Sequence, residues 1–139
     1  MASNLADQVS ELWESEDIPD TDFLYMRVPR QIVEYGEPYI GAFRNQPTPD
    51  DGMSTDWDRY AKPEQTRARG RRPADNAVIS MNVGYIREVP TLSVKHTPVN
   101  YPPEKRNRAH TDVFGPKEKN AEERLHLSRK YTVVLPLEK

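Results

Sequence analysis

Prolines divide the apolar parts of this chain into short runs. The sequence contains 13 prolines in 139 residues, which is roughly twice the average of about 5%. Pro29 stops the apolar run at 22–28, and Pro136 stands at the end of another run. Proline fixes φ and has no amide hydrogen to donate. We therefore expect a compact core and numerous loops within a chain that is the size of one domain.

Six runs that are rich in β-branched or aromatic residues predict strands. They cover 22–28, 38–43, 76–83, 91–99, 109–114 and 131–136. Capping residues, a proline suited to a first turn and acidic-then-basic charge order predict helices over 5–13, 55–61, 63–69 and 117–130. The predicted fold is therefore α+β, a small single domain with a mainly antiparallel sheet and three or four short helices. We expect this domain to cover residues 21–139, after an N-terminal helical extension over residues 1–20.

Composition excludes several classes of function. Cysteine is absent, which excludes disulfides, thiolate metal sites and a cysteine nucleophile. The net charge of −2 excludes an overall attraction to nucleic acid or anionic membranes. No 18-residue apolar run and no basic-then-apolar leader occurs, so we expect a cytoplasmic protein that does not contact a membrane. The sequence has no glycine-rich phosphate loop and no Gly-x-Ser-x-Gly elbow.

A short phrase, His-Thr-x-Val, occurs twice near the C-terminus. It begins at His96 and again at His110. If the two strands form a hairpin centred on Pro103, His110 lies opposite His96 on the same face, with Cβ atoms roughly 5 Å apart. A register shift of one residue would instead place the two histidines on opposite faces. We predict the shared face.

The phrase suggests chemistry because Asp112 lies two residues after His110, on the same face of the strand. A histidine beside a carboxylate is a common acid/base arrangement, and Asn107 and Arg108 would stand at the mouth of such a site. Two histidines and a carboxylate could also hold a metal, although the spacing matches no metal motif. A third interpretation is an ordinary solvated sheet face. We predict no metal and no cofactor.

Arginines form a second cluster. The stretch RARGRR contains Arg67, Arg69, Arg71 and Arg72, whose planar guanidinium groups suit phosphate, while Gly70 would let the backbone come close. A local contact with RNA, DNA or a nucleotide is one interpretation, and a solvated loop is the other.

Arg27 interrupts an apolar strand, so it needs a carboxylate or phosphate partner. Asp56 and Asp112 are the predicted structural partners.

Three segments resemble, in the same order, the signatures of a group of small stand-alone bacterial proteins without an established activity. They are FLYMRVP, DGMSTDW with the following KPEQTRAR, and NRAHTDVFGPK, within residues 22–136. The resemblance implies a bacterial or phage origin, and it directs attention to Arg27, Ser54, Asp56, Asn107 and His110. The Tyr-x-Arg strand also resembles the first strand of ADP-ribosyltransferase folds, whose arginine holds a dinucleotide.

The favoured function is a small binding or accessory module. Its polar surface of arginine and histidine would meet a phosphate-bearing ligand or a partner protein encoded in the same operon. The alternative is a small metal-independent enzyme acting on nucleic acid or a nucleotide. In that alternative His96 and His110 are the acid/base pair, Asp112 orients them, and Arg108 or Arg27 binds phosphate.

Overall fold

A six-stranded sheet organises the computed structural model, which describes residues 12–38, 40–45, 52–118 and 121–138. The strands are β1 (Phe23–Pro29), β2 (Val33–Glu34), β3 (Glu37–Pro38), β4 (Met53–Trp57), β5 (Asn76–Asn82), β6 (Ser93–His96), β7 (His110–Phe114) and β8 (Thr132–Leu135). The large sheet has the order β6-β7-β4-β1-β5-β8, and all of its neighbouring strands are antiparallel. β2 and β3 form a separate small hairpin.

Short helices connect the strands. The α-helices are α1 (Pro63–Ala68), α2 (Val83–Ile86) and α3 (Glu122–Ser128), and the 3-10 helices are Arg30–Ile32, Ile40–Ala42, Pro73–Asp75 and Pro103–Lys105. Pro63 occupies the first turn of α1, where its missing amide hydrogen costs nothing. The predicted α+β class with a mainly antiparallel sheet is confirmed. No described helix is both long and apolar enough to cross a membrane.

One face of the sheet carries the apolar core, because side chains alternate along each strand. Its buried members from the sheet are Leu24, Met26, Val28, Met53, Trp57, Ala77, Ile79, Met81 and Val113. Helices α2 and α3 add Val83, Ile86 and Leu127, and the segment before β1 adds Ile18. Burying side chains of this kind stabilises a fold by roughly 1.5–3 kcal/mol each.

The opposite face is polar over three adjacent strands. Strand pairing places Tyr25 beside Asp56, Asp56 beside His110, and Ser54 beside Asp112. Arg27 follows Tyr25 by two residues and therefore lies on this same face. α1 packs across part of the face. Several residues singled out by the sequence thus share one surface.

The predicted helix at 55–61 is wrong. Met53–Trp57 is the strand β4, which pairs with β1 on one side and β7 on the other. Met53, Thr55 and Trp57 point to the core, while Ser54 and Asp56 point to the polar face. This period of two is the pattern of a strand, and pairing with two neighbours outweighs the capping tendency of Ser54.

The predicted strand at 38–43 is also wrong over most of its length. The described part contains the short β3, ending at Pro38, and then the 3-10 helix Ile40–Ala42. Proline cannot donate to a ladder, so the extended run stops there. The predicted helix at 5–13 lies almost wholly outside the described residues. The other predicted strands and the helix within 117–130 are confirmed, each with somewhat different ends.

Candidate functional site

The hairpin of β6 and β7 has a register that separates the two histidines. Near the loop, Val99 pairs with Asn107, as a hairpin centred on Pro103 requires. Further along, the Thr97 amide bonds to the His110 carbonyl, and His96 pairs with Thr111. Between these pairs the chain leading into β7 therefore has one more residue than the chain that follows β6, at Arg108 and Ala109, which is the geometry of a bulge. The prediction that both histidines share a face is wrong, because this extra residue reverses the side chains that follow.

His96 is enclosed in the core. Its side chain is buried, and its ring lies edge-on to Trp57 with 5.1 Å between centroids. Nδ1 accepts the backbone N–H of Glu16 at 3.0 Å, and Nε2 lies 2.6 Å from the Arg108 carbonyl oxygen. A carbonyl oxygen only accepts, so Nε2 carries the hydrogen. His96 is a neutral ring with both nitrogens occupied, and it ties the segment before β1 to the hairpin.

His110 lies on the polar face and is half-buried. Its Nδ1 is 2.9 Å from the Thr97 carbonyl oxygen, so Nδ1 carries the hydrogen in this ring. Nε2 is then the acceptor in the neutral ring, and the Ser54 hydroxyl lies 3.0 Å from it. Ser54 therefore donates to Nε2 of His110. This is the opposite tautomer to that of His96.

Thr97 connects His110 to Asp112. The Thr97 hydroxyl donates to Oδ2 of Asp112 at 3.0 Å, and its oxygen lies 3.0 Å from Nδ1 of His110. Since the hydroxyl hydrogen goes to the carboxylate, the hydroxyl oxygen shares the Nδ1 hydrogen of His110 with the Thr97 carbonyl. Asp112 is buried. The predicted carboxylate is thus on the face of His110, but it acts on the ring through a threonine.

A cleft opens beside Ser54, where β1 and β4 separate. Among the described residues these strands pair only at Leu24 with Trp57 and Tyr25 with Asp56, whereas β1 and β5 pair over seven positions. The cleft measures about 470 Å³, and Arg27 and Ser54 are on its walls. The same two side chains also line a small recess next to Asp56. Ser54 therefore lines the cleft and is also bonded to His110.

Arg27 stands at the junction of this cleft with a second one. The second cleft measures about 340 Å³ and shares Arg27, Pro29 and Asn76 with the first. Nη1 of Arg27 donates to the Thr66 carbonyl at 2.8 Å. Burial lowers the pKa of Arg27 from its ordinary value, and the negative charge of Asp56 opposes this shift. Arg27 is not salt-bridged to either predicted carboxylate within the described chain.

The arginine run divides into two parts. Arg69, Arg71 and Arg72 line the second cleft and are exposed. Gly70 lies between them, where a Cβ would come within 2.9 Å of Arg27 Cδ, so the glycine gives room to the Arg27 side chain. Arg67 instead donates to the carbonyls of Asn76 and Pro136 and lies 3.5 Å from Glu138. It holds the C-terminal segment against β5.

Arg108 lies away from the Ser54 cleft. Its guanidinium stacks over Tyr60 at 4.1 Å from the ring centroid, and Nη2 is 3.7 Å from the Glu16 carboxylate. The extra residue in β7 turns this side chain toward the surroundings of His96. The structure thus does not bring Arg108 together with His110.

Asp56 and Asn107 form a buried polar pair next to the cleft. Asp56 accepts from the Thr66 hydroxyl and from Nδ2 of Asn107, each at 2.8 Å. Asn107 also accepts the Ala109 amide at 3.0 Å through its side-chain oxygen. These bonds hold α1 and the bulge before β7 against β4, so both residues fix the positions of the strands that carry Ser54 and His110.

Comparisons of the chain with known protein families, with curated proteins and with solved structures found no match. The described residues contain no cluster of three or more histidine, aspartate or glutamate side chains that could hold a metal ion.

Sequence reasoning missed two residues of the site, Thr97 and Arg44. Thr97 is the second member of the first His-Thr phrase, which could have drawn attention to it. Arg44 is exposed and lines the cleft beside Ser54. It is isolated from the other arginines in the sequence, and no sequence pattern connects it with Arg27.

Proposed function

We propose that the protein binds the phosphate groups of a ligand in the two clefts that meet at Arg27. Five arginines carry this proposal. Arg44 lines the first cleft, Arg69, Arg71 and Arg72 line the second, and Arg27 lines both. Guanidinium groups bind phosphate through paired, charge-assisted hydrogen bonds.

Arg27 and Arg69 each donate one hydrogen bond to a backbone carbonyl, but ion pairs within the described chain do not take up the charge of the five arginines. Among the described residues, the salt bridges of arginine use other positions and none of these five. Asp75 also lines the second cleft, but it already pairs with Arg30 at 3.3 Å. Asp56 offsets part of the positive charge of Arg27, and the other four arginines of the clefts form no salt bridge within the described chain. A phosphate would meet this charge in a partly enclosed space, where screening by salt is weaker.

Titration with inorganic pyrophosphate tests the proposal directly. Arg27→Gln should weaken binding about tenfold or more, because a hydrogen bond to a charged group contributes about 1.5–3 kcal/mol. Arg129→Gln is the matched control, since Arg129 is exposed and lines neither cleft. Equal affinity in all three proteins, or no measurable binding, would overturn the proposal.

Two further ligands distinguish the source of the phosphate. A mononucleotide should bind with a small dependence on salt. A single-stranded RNA should bind more tightly as it lengthens, with a steep salt dependence that the double variant Arg71→Gln and Arg72→Gln reduces. The first result identifies a nucleotide site, and the second identifies a nucleic-acid surface.

A further inference from the structure

We propose that Ser54 is a nucleophile activated by His110, and that the protein transfers or hydrolyses the acyl group of a carboxylic ester bound in the Arg27 cleft. We expect the ester to carry a negative charge, and this expectation rests on the proposed function. The reactivity of Ser54 does not depend on that function. An activated nucleophile is recognised by a base within hydrogen-bond reach and by a third group that orients the base. All three parts are present on the polar face.

The hydrogen positions favour this role. The carbonyl of Thr97 requires the hydrogen of His110 to be on Nδ1, so the Nε2 lone pair faces the Ser54 hydroxyl at 3.0 Å. Thr97 also links the ring to the buried carboxylate of Asp112. When His110 gains a proton on Nε2, this carboxylate stabilises the positive ring across one hydroxyl group. Thr97 and Asp112 are positioning residues in this scheme.

The cleft allows a substrate to reach Ser54. Ser54 is half-buried and lies on the wall of the 470 Å³ cleft, at the point where β1 and β4 separate. Arg27 lies on the wall of the same cleft and of the smaller recess. Its positive charge is available to negative charge that develops on a carbonyl oxygen during attack.

The reaction proceeds by proton transfer between Ser54 and His110. The Ser54 oxygen forms a bond to the ester carbonyl carbon while its proton moves to Nε2. The tetrahedral adduct then breaks the bond between carbon and the leaving oxygen, which takes the proton from Nε2 and departs as an alcohol. Water attacks the acyl-serine and gives one proton to Nε2. Ser54 regains that proton as the carboxylic acid leaves.

Covalent labelling with phenylmethanesulfonyl fluoride tests the nucleophile without a known substrate. The reagent should attach one sulfonyl group to Ser54 with loss of fluoride, as peptide mass analysis would show. Ser54→Ala should remove the label, and Ser93→Ala, at an exposed serine of β6, should not change the rate. His110→Ala should slow labelling by about 10²-fold or more, as expected for loss of a general base.

Two additional variants separate reactivity from folding. His110→Asn keeps a donor for the Thr97 carbonyl but no base, so it should fold like the wild type and label as slowly as His110→Ala. Thr97→Ser keeps the hydroxyl and should label Ser54 faster than Thr97→Val, which lacks it. Two results would contradict the proposal: Ser93 is labelled as fast as Ser54, or His110→Asn does not change the labelling rate of Ser54. Ser54 and His110 would then form only a cross-strand hydrogen bond. The reagent carries no phosphate, so this failure would be distinct from failure of pyrophosphate binding.

Discussion

His96 and His110 begin the same His-Thr phrase on neighbouring strands, yet one ring is enclosed by the core and the other is bonded to a serine that lines an open cleft. His96 donates to a backbone carbonyl and accepts a backbone amide. His110 also donates to a carbonyl, but its other nitrogen receives a serine hydroxyl. The difference shows that the partner of the second nitrogen, rather than the residue type, separates a structural histidine from a potential base.

Replacing each histidine by alanine should give the largest contrast. His96→Ala would leave the Glu16 N–H and the Arg108 carbonyl without their ring partner and would open a cavity beside Trp57. We expect a loss of about 3 kcal/mol in the free energy of unfolding. His110→Ala should cost about 1 kcal/mol or less, since His110 is half-buried. Urea denaturation of both variants measures the difference, and equal losses would contradict the assignment of His96 to structure.

Lys117 extends the comparison to a buried group that carries charge. Its ammonium donates to Asn45 and to the carbonyls of Val113 and Gly115, at 2.6, 2.8 and 3.0 Å. Burial lowers the pKa of Lys117 to about 8, although Glu123 and Asp112 oppose the shift. An unfolded lysine titrates near 10.5. Between these values the unfolded chain holds more protons, so raising the pH should stabilise the fold.

This effect should reach about 2 kcal/mol between pH 8 and pH 10. Urea denaturation across that range would show the rise, and Lys117→Met should remove it, while Lys95→Met at an exposed position should not. Above pH 10 the raised pKa values of Tyr25, Tyr85 and Tyr131, caused mainly by burial, act in the opposite direction. A flat profile in the wild type would show that Lys117 is not desolvated.

The two threonines of the phrase form a matched pair of smaller effect. Thr97→Val removes a donor to the buried Asp112 carboxylate and should cost about 1.5 kcal/mol. Thr111→Val should cost about 0.5 kcal/mol, because the Ala109 carbonyl that Thr111 contacts also accepts the Trp57 amide. Thr97→Val should also slow labelling of Ser54, whereas Thr111→Val should not. Equal effects on stability and labelling would contradict a specific role for Thr97.

Replacing Arg108 should have the smallest effect, and it tests whether the surroundings of His96 are separate from the clefts at Arg27. Arg108→Gln removes an exposed cation from Tyr60 and Glu16, so the free energy of unfolding should fall by about 0.5 kcal/mol. Pyrophosphate affinity should remain at the wild-type value, in contrast to Arg27→Gln. Thermal denaturation and the same titration measure both quantities. A tenfold loss of affinity would mean that Arg108 reaches the clefts after all.

Local patterns in the sequence predicted much of the sheet but not the role of its fourth strand. β1, β5, β7 and β8 follow from runs of β-branched and aromatic residues, whose side chains pack well on a pleated surface. Met53–Trp57 has three consecutive polar residues in its middle, so no alternation of apolar and polar residues marks it as a strand, and Ser54 is a good helix cap. Pairing with β1 and β7 resolves that competition, and such pairing depends on residues far away in the chain.

The sequence by itself determined the α+β class, the presence of Arg27, Asp112 and His110 as polar residues within strands, and the absence of cysteine chemistry. Only the tertiary structure decided which of these residues meet. One extra residue at Arg108 and Ala109 reverses the side chains of β7 relative to the hairpin loop. This one-residue difference places His96 in the core and His110 beside Ser54. Alternation along a strand has a period of two, so a change of one residue, which no local pattern predicted, exchanges the faces completely.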